Sequence, residues 1–381
     1  MKTFWHIARV LLGLVFVFSG FVKGIDPLGS AYKFSDYFQA WGLDFFSHLA
    51  FLSGVLLSAF EFIVGVALLV NVLPSFFSVL ALLFMIFFTG LTLVVAIGNP
   101  VSDCGCFGDA FKLTNWQTFG KNLFLLALAL VFRKYRRFGD GDRYILLKSV
   151  FSVITLFAYG YLVSYSYHHL PIIDFRPYKV GTNLAEAVAI PVDAPRDIYE
   201  NTFIYKQKRT GEEKKFTEED YPWRDSLNWE FVSMDSRLVK KGYEAPVKNF
   251  SIETAEGEDV KDFYLHDPAY TFILIVYDEQ KANLSTMDKI RTLASYSEEN
   301  DIRFIGLTSA TPRAADRFKA ENGLDFDFFY ADDITLKTMI RSNPGLILLR
   351  NGVIAGKWHF NDIPEIKEFI NQQDYLDRRN S

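Results

Sequence analysis

The chain has 381 residues, of which 50% are hydrophobic and 22% are charged, and its formal net charge is −5. Residues 1–170 carry 12 Lys and Arg against 8 Asp and Glu, and the remaining residues carry 28 against 37. The sequence therefore divides into an apolar part typical of a membrane protein and an acidic, water-soluble part. It has no concentrated basic surface of the kind that binds nucleic acid, so we expect no nucleic-acid partner.

The apolar part contains five stretches that are long and apolar enough to be transmembrane helices. The fourth is the weakest, because Lys121 and Asn122 interrupt its start. The first follows Lys2 and Arg9 and would also suit a signal peptide, but no small-x-small cleavage site follows it, so we expect it to be retained. The five predicted spans are residues 5–22, 49–70, 75–97, 116–132 and 144–165.

The loop at residues 133–143 sets the predicted orientation, because Lys and Arg concentrate on the cytoplasmic side of a membrane. It carries five Lys and Arg residues, more than any other loop of the apolar part. Counting back places the amino terminus in the cytoplasm, and residues 98–115 and everything after the fifth span outside. We therefore expect a multi-pass protein of the bacterial inner membrane, in contact with lipid, whose carboxy-terminal domain is periplasmic.

The two cysteines of the chain, Cys104 and Cys106, lie in the run DCGCFG on the predicted oxidising side. Gly105 permits backbone angles that other residues resist, and a disulfide that closes so small a ring is expected to be strained and a good oxidant. Asp103 and Asp109 flank the pair. A carboxylate beside a thiol raises the pKa of that thiol, which argues against a permanent thiolate.

Three roles stay open for the cysteine pair. It is a disulfide donor or redox switch, a structural disulfide in a passive turn, or part of a metal site with Asp103 or Asp109. Zinc usually takes four ligands at wider spacing, and His48 is the one histidine that the topology brings near. We therefore expect no metal.

Glu61 falls near the middle of the second span, where an ionisable side chain is costly and is usually paired or functional. Its predicted partners are Arg9, about one turn into the first span, and Lys23 at the outer end of that span. Either an ion pair fixes the helix packing, or the carboxyl group belongs to a proton- or quinone-linked site that serves the cysteines. No cofactor motif is evident, and a lipid-soluble quinone is the natural electron acceptor.

Residues 24–48 mix aromatic and charged side chains, which predicts an amphipathic helix on the membrane surface. This segment lies on the same outer face as the cysteines and is expected to cap their loop. The aromatic residues expected to face lipid or the bundle are Tyr37, Phe38, Trp41, Phe45 and Phe46.

The first 165 residues resemble the DoxX/MauE family of small bacterial membrane proteins. The resemblance lies in GLVFVFSGFVKGIDPLG at 13–29, in Glu61 within SAFEFIVGVALL, and in DCGCFGDAFKLTNWQT at 103–118. It implies a four-helix bundle over residues 1–132, to which residues 133–170 add a basic loop and a fifth helix. It also implies an association with maturation of a disulfide-rich subunit of methylamine dehydrogenase, and assistance in disulfide formation.

The soluble part begins with a connector, residues 171–242, in which residues 203–217 are predicted to form a hairpin. From residue 243 onward strands and helices alternate, and Asn351–Gly352 signals a closing hairpin. This order predicts an α/β domain over residues 243–381. The predicted strands are 249–254, 270–277, 301–308, 326–330, 345–350 and 353–358, and the predicted helices are 284–299, 312–322, 333–341 and 363–372.

The α/β domain resembles the thioredoxin-like fold of the extracytoplasmic TlpA-like branch. The resemblance lies in YEAPVKNFSIETAEGE at its entry, in the order of elements, and in SNPG before the fifth strand. Asn343–Pro344 matches the cis-proline position, which lines the substrate groove in active members. Redox-active relatives carry Cys-x-x-Cys after the central strand, whereas YDEQKANLS at 277–285 has no cysteine. A domain without a thiolate cannot exchange disulfides, so we expect it to dock a client or redox partner.

Together these features predict a membrane-embedded thiol–disulfide redox or maturation factor. Cys104 and Cys106 are its working pair, Glu61 assists within the bundle, and the thioredoxin-like domain recruits a periplasmic client or redox partner. The alternative is a non-enzymatic inner-membrane scaffold whose cysteines form a structural loop disulfide.

Overall fold

A computed structural model describes residues 1–101, 103–139, 144–191 and 193–370. Residues 1–182 and those from 251 onward form one compact unit, and residues 183–250 form a second. The apolar part is helical: α1 (Lys2–Ile25), α2 (Pro27–Ala40), α3 (Ala50–Val70), α4 (Pro74–Gly98), α5 (Asn115–Lys134) and α6 (Ile145–His168), with 3₁₀ segments at Asp44–Leu49 and Arg136–Gly139.

Four of these helices are long and apolar enough to cross a membrane: α1, α3 with the preceding 3₁₀ segment, α4 and α6. Four of the five predicted spans are thereby confirmed. Residues 116–132 do form a helix, but α5 does not reach the same apolarity, because Lys121, Asn122 and the basic last turn interrupt it. The span predicted at residues 116–132 is therefore not supported by the composition of α5.

Packing nevertheless places α5 along the whole bundle, against α4 and α1. At one end Asn115 Nδ2 donates to Asn99 Oδ1 over 2.7 Å, and at the other the rings of Phe132 and Trp5 lie 5.9 Å apart. The ring of Tyr167, near the end of α6, lies 4.9 Å from that of Phe51 at the start of α3. The long helices thus alternate in direction, and the α4–α5 loop and the end of α6 share one end of the bundle.

Glycines allow α1 and α3 to approach closely. A Cβ atom at Gly20 would lie 2.6 Å from the backbone nitrogen of Phe62, and one at Gly65 would lie 2.5 Å from that of Val17. Small residues at such contacts are how helices pack tightly in membranes. The core beside this contact consists of Trp5, Ala8, Leu12, Phe16, Val64, Leu68, Ala81, Met85, Leu125, Ala129 and Phe132.

The helix α6 lies at the edge of the bundle. Tyr159 is buried, donates its hydroxyl to the carbonyl oxygen of Gly20 over 2.9 Å, and stacks its ring on Phe62 at 4.3 Å. Other large apolar residues of α6, including Leu146 and Phe157, are exposed. The helix therefore contacts the bundle along a narrow stripe and presents most of its surface outward.

Residues 183–250 contain a short helix, α7 (Leu184–Val188), and a three-stranded antiparallel sheet in the order β2-β1-β3. The hairpin predicted at 203–217 is confirmed as β1 (Ile198–Gln207) paired with β2 (Glu213–Phe216). The sequence did not predict β3 (Trp229–Lys240), because its side chains are nearly all exposed and lack the alternation of a half-buried strand.

The thioredoxin-like domain, residues 251–370, is built on a five-stranded sheet in the order β6-β5-β4-β7-β8. The strands β4, β5 and β6 run parallel, whereas β7 pairs antiparallel with both β4 and β8. This confirms the α/β class and the thioredoxin-like order. The elements are α8 (Lys261–Leu265), β4 (Tyr270–Val276), α9 (Met287–Glu299), β5 (Arg303–Thr308), α10 (Pro312–Asn322), β6 (Phe328–Tyr330), α11 (Asp333–Met339), β7 (Gly345–Arg350) and β8 (Val353–His359).

Three details of this domain bear on the prediction. The expected strand at 249–254 is not formed; Glu253 makes only isolated bridges to Asp259 and Tyr330. The closing hairpin is confirmed, and Asn351 and Gly352 have φ angles of 47° and 73°, as a primed turn requires. Of the expected last helix at 363–372, residues 366–370 are helical and residues 371–372 lie outside the described residues.

The close contact of α1 and α3 can be tested with a pair of alanine substitutions. Gly65→Ala is expected to lower the stability of the protein in detergent by about 1–3 kcal/mol, because its new methyl group meets the backbone of α1. The control is Gly90→Ala, at a helical glycine where a Cβ atom meets nothing within 4 Å. Thermal unfolding measures both, and equal melting temperatures would contradict the packing described.

Candidate functional site

The two cysteines face each other in the loop between α4 and α5. Both are free thiols, and the Sγ atoms of Cys104 and Cys106 lie 3.1 Å apart. Gly105 between them has a φ angle of 65°, in the left-handed region that favours glycine. Its backbone N–H donates to Asp103 Oδ1 over 2.9 Å. This turn brings the two thiols into contact.

The segment between α4 and α5 that carries the cysteines is called the thiol loop. Side chains of α1 and α2 hold this loop in place. The Ser19 hydroxyl donates to the carbonyl oxygen of Cys106 over 2.7 Å, and the Tyr37 hydroxyl donates to that of Cys104 over 3.3 Å. Lys33 on α2 lies 3.0 Å from Asp103. The predicted 24–48 segment is thus divided into α2 and a 3₁₀ segment, and it is α2 that covers the cysteines. Trp41, Phe45 and Phe46 remain exposed.

The two thiols differ in acidity. The hydrogen bond from the Cys104 thiol lowers the pKa of Cys106 to about 6; burial opposes this effect, and the ammonium groups of Lys121 and Lys23 reinforce it. The same hydrogen bond, together with burial, raises the pKa of Cys104. Cys106 is therefore the more acidic thiol of the pair.

The expectation that the flanking carboxylates oppose a thiolate is wrong. Asp103 is paired with Lys33, and Asp109 lies 3.3 Å from the guanidinium group of Arg341. Because each carboxylate has its own cation, neither dominates the acidity of Cys106. The cations that act on that thiol stand on α1 and α5, at positions distant from it in the sequence.

Behind the thiol loop lies a buried ion pair inside the bundle. Lys23 Nζ lies 2.8 Å from both carboxylate oxygens of Glu61 and donates to the Ser19 hydroxyl over 3.1 Å. Both side chains of the pair are more than nine-tenths buried. Since Ser19 also bonds the Cys106 carbonyl oxygen, polar contacts run from Glu61 to the thiol loop.

Arg9, the other expected partner, does not reach Glu61. Its guanidinium group donates to the carbonyl oxygens of Leu68 and Leu69, the latter over 2.7 Å. The helices α1 and α3 are antiparallel, so Arg9 stands beside the last turn of α3, where carbonyl groups lack helical partners. Arg9 is therefore a capping residue at the far end of the bundle.

A charge cluster joins the thioredoxin-like domain to the bundle. The buried guanidinium of Arg341 lies 2.9 Å from Asp26, at the junction of α1 and α2, and 3.3 Å from Asp109 in the thiol loop. Burial alone would lower the pKa of Arg341, but the two carboxylates raise it overall. The same contact lowers the pKa of Asp26 against the effect of burial. Arg341 is thus a permanently charged clamp.

The face of the thioredoxin-like domain that carries Asn343 and Pro344 is turned toward the thiol loop. Their peptide bond is cis and directly precedes β7. Asn343 Nδ2 donates to the carbonyl oxygen of Asp278, in the segment that follows β4. The neighbouring Tyr277 hydroxyl lies 3.4 Å from that of Tyr32 on α2. The groove expected to receive a client therefore faces the chain's own bundle.

These elements enclose one cavity of about 1150 Å³. Its lining includes both cysteines, the Lys23–Glu61 pair, and Arg341 and Asn343. Among the described residues no group of three or more His, Cys, Asp and Glu side chains is placed to hold a metal ion. His48 contacts the carbonyl oxygen of Phe45 instead.

Comparison with known proteins agrees with the first part of this description. Residues 1–134 match the family model described as methylamine utilisation protein MauE. This segment is similar to the MauE family. The resemblance expected from the sequence is thereby confirmed. Residues 199–241 match a domain of unknown function, DUF8463, and no curated protein matches the chain.

Part of the chain is similar to solved structures. One of them is a solution structure of a candidate protein disulfide isomerase from Bacteroides thetaiotaomicron, 14% identical over 33% of this chain and 83% of its own, with a TM-score of 0.26. So low a TM-score carries no argument. The thioredoxin-like assignment accordingly rests on the strand order of the domain itself.

Sequence reasoning did not identify Asp26, Lys121 and Arg341 as site residues. Lys121 carries a usable signal, since a lysine inside an otherwise apolar helix needs a polar neighbour. Its Nζ lies 4.3 Å from the centre of the Phe107 ring, and it lines the same cavity. Arg341 gives no signal, because its partners are more than 200 residues away in the sequence.

The acidity of Cys106 predicts how its alkylation depends on pH. Because the pKa of Cys106 in the folded protein is about 6, its alkylation rate should rise as the pH passes through 6. At neutral pH the rate should be close to its plateau, because most of the thiol is then ionised. Cys104→Ser keeps a hydroxyl donor and should retain a depressed midpoint, whereas Cys104→Ala should raise the midpoint by about two pKa units and so be alkylated roughly tenfold more slowly at pH 7. Iodoacetamide rates followed by mass spectrometry measure this. An ordinary thiol midpoint in both variants would contradict the assignment.

Proposed function

We propose that this protein is a thiol–disulfide redox or maturation factor whose working pair is Cys104 and Cys106. The observation that carries the proposal is the pair itself: two free thiols in contact, one with a lowered pKa, inside a shared cavity. The MauE match supports a maturation role at a membrane, and no particular substrate is transferred with it.

The unequal acidity of the thiols gives the exchange a direction. When the pair is a disulfide, a client thiolate attacks Cys104, because the sulfur of lower pKa, Cys106, is the better leaving group. A mixed disulfide forms on Cys104 and Cys106 departs as a thiolate. A second client thiolate then attacks the client sulfur of the mixed disulfide, so that the client gains a disulfide and the pair becomes a dithiol.

The thioredoxin-like domain serves in this proposal as a redox-inactive cover that a client or redox partner must engage. It has no cysteine, and its Asn343–Pro344 face lies over the thiol loop. Its clamp, Arg341, reaches that loop directly through Asp109. A partner that binds this face would uncover the thiols, so that only a docked partner gains access to Cys104 and Cys106.

The proposed orientation places the thiol loop and the thioredoxin-like domain on the periplasmic side of the inner membrane. The helix α2, the thiol loop and the Asn343–Pro344 face all meet at one end of the bundle. The basic residues at the end of α5 and in the following 3₁₀ segment lie at the other. That distribution is the one expected when the basic end faces the cytoplasm.

Trapping of mixed disulfides tests the redox role. Cys106→Ser removes the thiol that could displace a client from Cys104, so reductant-sensitive adducts that the client's own second thiol has not resolved should accumulate in cells. The Cys104→Ser, Cys106→Ser double variant is the control and should give none. If the wild-type thiols stay in one redox state in oxidising and reducing media, and the double variant behaves as wild type, the protein is instead a scaffold.

The covering role of the thioredoxin-like domain has a separate test. Arg341→Gln removes one partner of a buried charge cluster, a change that typically costs about 3–5 kcal/mol. Labelling of the thiols by a bulky maleimide should therefore become at least roughly tenfold faster. Arg317→Gln, at an exposed arginine of the same domain, is the control. Equal labelling rates for both variants and wild type would show that the clamp does not limit access.

A further inference from the structure

The cavity extends well beyond the thiol loop into the apolar part of the bundle. Phe16, Leu57, Phe84, Phe88, Leu91 and Leu125 form its inner walls. The rings of Phe84 and Phe88 stack at 4.3 Å, and Phe60 stacks on Phe84 at 5.3 Å. We call this apolar part of the cavity the chamber. Thiol–disulfide exchange at the loop does not require an aromatic chamber at this depth, which suggests that the chamber binds a separate ligand.

The chamber reaches the outer surface of the bundle on the side of α4. Phe87 lines the cavity, yet 63% of its surface is exposed among other outward-facing apolar residues such as Leu83 and Ile86. The helices α3 and α4 pack less closely against each other than α4 packs against α5, and both contribute to the lining of the cavity. We take this side of the bundle as the entrance for a ligand dissolved in the bilayer.

The polar end of the chamber combines a two-electron donor with a hydrogen-bond donor. The cysteines stand on one side, and the Lys23–Glu61 pair stands on the other, buried and bonded to the thiol loop through Ser19. Binding sites of this kind, mostly apolar with a few convergent polar groups, suit an amphipathic small molecule. A protein client cannot reach so far between the helices.

We infer that this cavity binds a lipid-soluble quinone, with its ring beside Cys104 and Cys106 and its isoprenoid tail leaving between α3 and α4. The inference rests on the proposed redox function and names its electron acceptor. The redox pair, the buried ion pair and the lipid-side opening meet in one enclosed space, and a quinone is the class of molecule that uses all three.

The proposed step balances in atoms and electrons. The dithiol becomes a disulfide as the S–S bond forms, and two electrons pass from the sulfurs to the quinone. Cys104 releases its thiol proton, and water at the open end of the cavity supplies the second proton that the two quinone oxygens require. The product is a quinol. The disulfide is then ready for a client dithiol.

Oxidation of the reduced protein in lipid nanodiscs by decylubiquinone tests the inference. The disulfide is followed by loss of maleimide labelling, and quinol is followed by absorbance. Leu57→Trp fills the chamber and should slow oxidation by decylubiquinone at least roughly tenfold, the loss expected when a reactant is displaced from its reacting geometry. Leu56→Trp, one residue away and 60% exposed, should leave the rate unchanged.

A second pair of oxidants separates this inference from the proposed function. Oxidised glutathione should oxidise wild type and Leu57→Trp at the same rate, since it reaches the thiols from water each time the cover opens and does not use the chamber. If glutathione oxidises the pair but decylubiquinone does not, the quinone inference is overturned and the redox function stands. If neither oxidises it, both fail.

Two further measurements guard against misfolding and against simple lipid binding. Lys23→Met combined with Glu61→Leu replaces the ion pair by apolar groups, which proteins often tolerate; it should slow the quinone reaction by a larger factor than the glutathione reaction. Decylubiquinone should quench tryptophan fluorescence saturably in wild type and not in Leu57→Trp. Equal occupancy by decylbenzene would mean that the chamber holds a lipid tail only, and would overturn the inference.

Discussion

The carboxylate of Asp26 holds together the three parts of the molecule that form the site. It accepts the backbone N–H of Gly29 over 2.9 Å and so begins α2, which covers the thiols. It also receives the guanidinium of Arg341, which extends to Asp109 in the thiol loop. A buried charge of this kind is costly unless every partner is present. The position of α2, the shape of the loop and the seat of the thioredoxin-like domain are therefore fixed together.

The reactivity of the thiol pair comes from its surroundings more than from the CGC motif. Cys104 lowers the pKa of its neighbour by donating a hydrogen bond, and Lys121 and Lys23 add positive charge from two different helices. The flanking aspartates do not control it, since each is engaged elsewhere. This also accounts for the low apolarity of α5: the lysine that makes it a poor membrane span lies beside the site.

The sequence was sufficient for architecture and insufficient for contacts. Apolar runs located the helices, and alternation with turn residues located the sheet of the thioredoxin-like domain. Hydropathy predicted α5 to be a membrane span, because a hydropathy average does not depend on which face of the helix Lys121 occupies. The sequence predicted two possible partners for Glu61, Lys23 and Arg9. The axial position of α1 relative to α3 decides between them: it places Lys23 beside Glu61 and Arg9 beside the end of α3. Arg341 lay beyond prediction, because its contacts depend on how a distant domain sits on the bundle.

The narrow attachment of α6 has a consequence for any opening of the site. This helix is the direct covalent link between the bundle and the connector that leads to the thioredoxin-like domain, and it is anchored mainly through Tyr159. A covalent link between the cover and the bundle makes reclosure an intramolecular event, whose effective concentration is set by the length and stiffness of the connector. Each uncovering is therefore brief, and reclosure does not depend on how many copies the cell makes. A partner must compete with this local concentration, so only a well-matched one would hold the site open.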